Sequence, residues 1–462
     1  MQHVIRHKLE GKKVMILGFG REGQSSFRLI RKLLPGMNLT IADASENIAS
    51  DPLLREDPSV TLFTGKGYLE HLNDYEVILK TPGITLQQLG GKIPSEKISS
   101  QTDLFLQAYS NQVIGVTGTK GKSTTATLIF HILKQAGKDA LLLGNIGRPA
   151  FNYTDDIHPG TLIVFELSSH QLEFLTTAPR IAILLNLFQE HLDAYASFRD
   201  YRLAKWNIVK FQHRDDPVIF NADDPLVQEL MKEFRPERRY LPFSRETELA
   251  DGCFIRDHFI YYAEDCRYTP VVDLNKKIHL KGNHNRNNIL AAVAACRELG
   301  LDNEEIEEGV LSFRGLEHRM EFIGKFRGIE FYDDSISTIP ESCIAAVKAL
   351  ENVDTLIIGG FDRGVDYSGL EEFFLQSDIT NLIFTGDAGR RIYSEMKNKE
   401  RKGRNYFVLD RFAEFADIAF RYTASGKICL LSPAAASYDE FTNFEERGNR
   451  FKELVLQSGT RT

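Results

Sequence analysis

Short β-branched apolar runs alternate with stretches of helical spacing along most of the chain, and many of the runs end in a glycine or acidic turn. Such alternation predicts parallel strands covered by helices, an α/β architecture. The first runs are Lys13–Leu17 and Leu39–Ala42, with a helical stretch over Ser25–Leu34 between them. Val77–Lys80 follows, running into Thr81-Pro82-Gly83. The pattern breaks near residues 98–111 and resumes with the run from Val113. From there it predicts a helix over Thr124–Gln135, strands at Leu162–Ser169 and Ile181–Leu185, and a helix over Phe198–Lys210. Val218–Phe220 reads as a strand, Val271–His279 as an antiparallel strand region, and Ile289–Leu299 as an apolar helix. Beyond Phe313 come an antiparallel pair, Glu321–Phe326 with Ile329–Tyr332, and then four strand–helix alternations. The expectation is three consecutive α/β domains: 1–108 Rossmann-like, 109–313 of the P-loop ATPase type, and 314–462 again Rossmann-like.

Composition narrows the class. The 462 residues are 42% hydrophobic and 26% charged, with a net charge of −8, which argues against a nucleic-acid-binding surface. The five cysteines are odd in number and form no C-x-x-C pair, so a disulfide framework and structural zinc are not expected. The segment Met1–Glu10 has no apolar core of a signal peptide, and runs such as Ile181–Leu185 are too short to span a bilayer. A cytoplasmic protein without membrane insertion is expected.

Two glycine turns carry the chemistry. Gly18-Phe19-Gly20-Arg21-Glu22-Gly23 follows the first strand run, and the acid Asp43 closes the second. That arrangement fits a nucleotide or nucleotide-sugar site. The second turn is Thr117-Gly118-Thr119-Lys120-Gly121-Lys122-Ser123-Thr124. Glycines let backbone N–H groups approach a phosphate, Lys122 adds charge, and Ser123 or Thr124 can reach magnesium. It is shorter than the standard G-x-x-x-x-G-K-[ST] loop, whose first glycine would fall on Val116. Glu166 closes an apolar strand, where a charge is costly unless paired or bound to metal, so it is expected to serve magnesium. Glu166, His191 and a residue of the next helix could converge on one cation.

These motifs resemble the Mur ligase superfamily. The resemblance rests on the Thr117–Thr124 loop, E-L-S-S-H-Q-L-E at Glu166–Glu173, N-L-F-Q-E-H-L-D at Asn186–Asp193, Y-R-L-A-K at Tyr201–Lys205, N-A-D-D at Asn221–Asp224 and G-N-H-N-R-N-N at Gly282–Asn288. The run Ser432–Phe451 and D-D-S-I-S-T at Asp333–Thr338 resemble the D-glutamate-adding branch. The resemblance implies an ATP-dependent amide ligase that joins D-glutamate to UDP-N-acetylmuramoyl-L-alanine through an acyl phosphate. It would serve cytoplasmic peptidoglycan precursor synthesis, and hence cell-wall biogenesis, cell shape and division, as a monomer.

The implied roles follow residue by residue. Gly18, Phe19, Gly20, Arg21, Asp43, Thr81, Asn145 and His191 would hold the UDP substrate. Gly118, Thr119, Lys120, Gly121, Lys122, Ser123, Thr124, Asn285, Asn288, Arg319 and Asp334 would bind ATP. Ser123, Thr124, Glu166, His191 and a carbamylated Lys205 would hold magnesium, two ions being expected, with Lys122, Glu166, His191 and Lys205 carrying catalysis. Thr338, Arg363, Ser437 and Phe444 would meet D-glutamate. Three positions depart from the pattern: Ile336 stands for a lysine, Phe361-Asp362-Arg363-Gly364 replaces a lysine-bearing turn, and Ala435 replaces a cysteine. Arg363 could still grip a carboxylate bidentately. A nicotinamide-linked dehydrogenase built on the Gly18 turn would leave Lys122 and Glu166 unexplained.

Overall fold

Helix and strand periods resolve into three sheets in the computed structural model, which describes residues 1–85, 93–190, 194–234, 237–280, 282–350, 352–397 and 403–460. The chain forms two compact units, Met1–Phe313 and Arg314–Thr462. The mixed α/β architecture is the one expected.

Within Met1–Phe313 the first sheet comprises β1 (Val14–Leu17), β2 (Leu39–Asp43), β3 (Val60–Thr64), β4 (Val77–Lys80) and β5 (Ile98–Ser99), in the order β3-β2-β1-β4-β5 and parallel throughout. Strand order reverses at β1, so a crevice opens beyond the carboxyl ends of β1 and β4, where such sheets bind ligands.

The second sheet holds β6 (Val113–Thr117), β7 (Ala140–Gly144), β8 (Leu162–Glu166), β9 (Ile181–Leu184), β10 (Pro217–Asn221), β11 (Arg239–Ser244), β12 (Gly252–Arg256), β13 (Phe259–Glu264) and β14 (Arg267–Asp273). Their order is β14-β13-β12-β11-β10-β9-β6-β8-β7, and only the β12–β14 meander is antiparallel. Val113–Thr117 is buried at every position, as a strand covered by helices on both faces should be. The antiparallel strand read at Val271–His279 lies earlier, at Arg267–Asp273. Asp273 ends it by accepting the Asn275 N–H in an Asx turn at 2.9 Å.

The break near residues 98–111 proves to be structured. Ser100 caps a helix, Gln101–Tyr109, by accepting the Asp103 N–H. This helix buries Leu104, Phe105 and Leu106, and Phe105 meets Phe165 of β8 edge-on at 5.4 Å. It thereby packs the first sheet against the second, so the two share one core.

Arg314–Thr462 carries β15 (Glu321–Phe326), β16 (Ile329–Asp333), β17 (Val353–Gly359), β18 (Asn381–Thr385), β19 (Asn405–Val408) and β20 (Ile428–Leu431), in the order β15-β16-β20-β17-β18-β19. The β15–β16 hairpin is antiparallel and the rest parallel. Separate apolar clusters cover its two faces. The last helix, Phe444–Gly459, is capped by the Asn443 side chain, which accepts the Glu446 N–H.

Candidate active site

The phosphate loop lies between β6 and the helix Lys122–Gln135. Thr117, at the end of β6, donates its hydroxyl to Leu167 O at 2.8 Å, and Thr119 N bonds Asn186 O at 2.9 Å. The Asn186 side chain clamps the next residue, accepting Lys120 N at 2.8 Å and donating to Lys120 O at 2.9 Å. Lys120 pairs with Glu190. The Thr119 hydroxyl accepts Phe188 N at 2.9 Å and bonds the Tyr201 hydroxyl at 3.0 Å. The motif residues around Asn186 and Tyr201 therefore brace the loop.

Gly121 adopts φ 84°, and a Cβ there would stand 2.4 Å from Asn288 Oδ1. Asn288 is buried. It accepts the Thr125 hydroxyl at 3.2 Å and donates to Asn285 Oδ1 at 3.0 Å. The Asn/His run therefore forms the first turns of the helix Asn283–Glu298 and holds the loop from behind.

Two lysine amines converge on one carbonyl. Lys122 Nζ donates to Gly118 O at 3.1 Å and to Thr119 O at 2.9 Å, while Lys205 Nζ reaches Gly118 O at 2.8 Å. Lys205 is 1% exposed, on the helix Phe198–Lys210, and its amine lies 4.9 Å from the centre of the Tyr201 ring. Burial, and then the Lys122 charge, hold the Lys205 pKa well below the usual lysine range.

Glu166 closes β8 next to β6 and is also 1% exposed. Its Oε1 accepts Asn145 Nδ2 at 2.9 Å, whereas its Oε2 is buried with no hydrogen-bond partner among the described residues. An orphaned carboxylate oxygen beside a phosphate loop, with half-buried Ser123 and Thr124 at the helix start, is a donor set suited to a hard divalent cation. His191 lies outside the described residues.

At the first sheet, Gly18 N bonds Ala42 O at 2.7 Å. Asp43 accepts Phe19 N at 2.7 Å through Oδ2 and Ser45 N at 2.8 Å through Oδ1. Thr81 donates its hydroxyl to Leu17 O at 3.0 Å, which ties the ends of β1 and β4. Gly20 is exposed at the head of the helix Arg21–Leu33, and the Arg21 guanidinium lies close to Gly147, where a Cβ would stand 3.3 Å from its Nη1.

The sequence reading passed over a buried ionic cluster here. Lys80 pairs with Glu173 at 2.8 Å, Glu173 with His170 at 2.9 Å, and Glu22 Oε1 accepts Gln171 Nε2 at 2.6 Å. Burial pushes the Glu22 carboxyl up to about 7, against the opposing pull of Gln171 and Lys80. A charged Lys80 closing an apolar strand was the available signal, of the same kind that marked Glu166.

In Arg314–Thr462 the remaining candidates gather at the carboxyl ends of β16, β20 and β17. Asp334 is buried. It accepts the Ser432 hydroxyl at 2.7 Å and Met320 N at 3.2 Å, and burial raises its pKa to about 6. Arg319 is exposed next to His318, whose Nδ1 bonds Asp333 Oδ2 at 2.7 Å. Arg363 Nη2 approaches Thr338 O at 3.4 Å. The Arg363 turn is fixed by Arg391, which holds both oxygens of Asp362 at 2.6 and 2.9 Å. Ser437 is buried at the turn after β20, and the Phe444 ring stands edge-on to His318 at 6.1 Å. Ile336 is half-buried.

Residues 116–296 match the Mur ligase middle domain. The chain is 20% identical to the crystal structure of a UDP-N-acetylmuramate-alanine ligase from Thermotoga maritima, covering 97% of this chain and 100% of that one with a TM-score of 0.53. The chain thus has the fold of the Mur ligases. UDP-N-acetylmuramoylalanine–D-glutamate ligases from Desulfitobacterium hafniense and Acetivibrio thermocellus are 35% and 31% identical, over 97% of this chain and 98% and 97% of theirs. The chain belongs to the family of UDP-N-acetylmuramoylalanine–D-glutamate ligases.

Proposed function

We infer that the protein is an ATP-dependent ligase that adds D-glutamate to UDP-N-acetylmuramoyl-L-alanine in peptidoglycan precursor synthesis. The observation that carries the chemistry is the convergence of Lys122, Lys205 and Glu166 around the loop after β6. The substrate pair rests on the kinship with D-glutamate ligases.

A carboxylate is a poor electrophile, so amide formation needs activation. The alanyl carboxylate oxygen attacks the γ-phosphorus of ATP, the bond to ADP breaks, and an acyl phosphate forms. The amine nitrogen of D-glutamate then attacks the acyl carbon, inorganic phosphate leaves, and the amine proton passes to phosphate or solvent. The first step brings two anions together, so charge neutralisation dominates the barrier. Lys122 leaves its loop carbonyls for the phosphates, and Gly118 to Thr124 present backbone N–H groups to them. The orphaned Glu166 oxygen, with Ser123, Thr124 and His191, would hold magnesium, which supplies charge neutralisation at the phosphates.

Carbon dioxide reacts with an uncharged amine, and burial shifts Lys205 toward that form. Carbamylation would turn it into an anionic oxygen donor suited to the same cation. Gly18, Phe19, Gly20, Arg21, Asp43, Thr81 and Asn145 receive the UDP-sugar. Asn285, Asn288, Arg319 and Asp334 serve ATP, and Thr338, Arg363, Ser437 and Phe444 serve D-glutamate. We retain the three-domain division at 108/109 and 313/314, a monomeric state and a cytoplasmic location. No helix among the described residues is long and apolar enough to cross a membrane.

The test is phosphate release from ATP with magnesium and UDP-N-acetylmuramoyl-L-alanine. Release is expected to need D-glutamate, and an amino-acid panel should single it out. Release indifferent to both substrates would overturn the reading.

A further inference from the structure

The last helix begins on a buried cation that none of the roles above uses. Arg447 is 1% exposed, among the largest fully buried side chains of the protein. Its Nε donates to Ser335 Oγ at 3.0 Å and its Nη2 to Ser335 O at 2.9 Å. Nη2 also reaches Ala435 O at 3.1 Å, and Nη1 reaches Ala436 O at 3.0 Å. The acceptors are one hydroxyl and backbone carbonyls of two turns, not carboxylates. Asp439 and Asp333 act on it only as more distant charges, and burial lowers its pKa to about 10, so it stays charged at neutral pH.

Removing a cation from water without a directly bonded anion is costly, and hydrogen bonds to one hydroxyl and three carbonyl oxygens offset part of that cost here. What the guanidinium adds is geometry. Its planar fork binds the turn after β16 and the turn after β20 at once. Ser335 Oγ passes the constraint on, donating to Phe444 O at 2.8 Å. The neighbouring Gly448 lets the helix approach His318 and the end of β16 closely. A Cβ there would stand 2.1 Å from His318 Nδ1 and 2.6 Å from Asp333 Oδ2. Thr338 follows the first turn by three residues, Ser437 follows Ala436 directly, and Phe444 opens the helix.

We propose that Arg447 is a positioning residue for the amino-acid substrate, holding the turns that carry Thr338, Ser437 and Phe444 in one fixed arrangement without touching the substrate itself. The proposal rests on the D-glutamate reading. A lysine at 447 has three donors from one nitrogen and cannot span both turns in the same plane.

The experiment compares Arg447→Lys and the milder Ser335→Ala with the wild type, using the full chain and steady-state kinetics in each substrate. The expected result for Arg447→Lys is a KM for D-glutamate raised at least about tenfold, with the KM for the UDP-sugar within about twofold of wild type. Ser335→Ala should move in the same direction by about threefold. Should Arg447→Lys fail to fold, Ser335→Ala decides alone. An unchanged D-glutamate KM in the variants that fold, or equal losses for all substrates, would overturn the proposal. A wild-type chain that ignores D-glutamate would instead overturn the reading beneath it.

Discussion

The amines of Lys122 and Lys205 share one acceptor, the carbonyl oxygen of Gly118, at 3.1 and 2.8 Å. Two ammonium groups so close repel each other, and Lys205 is the one enclosed by protein, so burial first and the Lys122 charge second hold its pKa well below the usual lysine range. A phosphate-loop lysine meets ATP as a cation, and Lys205 is the partner whose charged form is disfavoured. Carbon dioxide reacts with the uncharged form of an amine, so this shift favours the modification of Lys205. Activity is expected to fall in carbon-dioxide-free buffer and to return when bicarbonate is added. Lys205→Arg should lose roughly 100-fold or more in kcat and show no bicarbonate response, since guanidinium stays protonated. A wild-type rate independent of bicarbonate, with no carbamate carbon visible by 13C NMR, would discard the modification.

The second prediction concerns Glu166, whose Oε1 is held by Asn145 while Oε2 has no partner among the described residues. Glu166→Gln keeps the shape and the Asn145 contact but removes the charge. It should lower kcat by roughly 100- to 1000-fold. Asn145→Ala should leave the charge but free its orientation, weakening magnesium affinity by about 10- to 100-fold. Magnesium titrations of the rate separate the two effects: excess magnesium should recover much of the Asn145→Ala rate and little of the Glu166→Gln rate.

Strands and motif turns were legible because burial on both faces forces apolar runs, and ligand turns need particular residue types. Val113–Thr117 is such a run, and the turn after it could be read residue by residue. The helix Gln101–Tyr109 was hidden because its capping sequence, Ser100 to Asp103, resembles a polar linker. The Asn/His run at Gly282–Asn288 was legible as special, but not its placement of Asn288 behind Gly121, which depends on the packing of two helices. Arg447 could not be singled out, since an arginine near a helix start is ordinarily a surface residue. Only the folded turns reveal that it is enclosed.

Glu22 gives a pH test. Its folded-state carboxyl sits at about 7, above the ordinary value of 4.5. A raised acid stabilises the fold fully below its unfolded pKa, and that contribution is lost as pH rises through the folded value. The wild type therefore loses stability between about pH 4.5 and 7 from this group. Glu22→Gln keeps an oxygen acceptor for Gln171 and does not titrate. Relative to wild type, it should gain on the order of 2–3 kcal/mol in stability between pH 4.5 and 8. Thermal melts of both proteins across that range check the sign, and a constant difference would refute it.

Asp43 supports the first glycine turn with both carboxylate oxygens, one on Phe19 N and one on Ser45 N. An asparagine at 43 offers one acceptor oxygen, and its amide nitrogen would face a backbone N–H. Asp43→Asn is therefore expected to behave much like Asp43→Ala rather than like a conservative change. Leaving a partly buried N–H without its acceptor costs about 1–3 kcal/mol, so either variant should raise the KM for the UDP-sugar roughly tenfold. The KM values for ATP and D-glutamate should stay near wild type, because Asp43 fixes the turn after β1 and not the loop after β6. A variant in which all three rise together would show that Asp43 supports the fold as a whole and not the nucleotide-sugar turn.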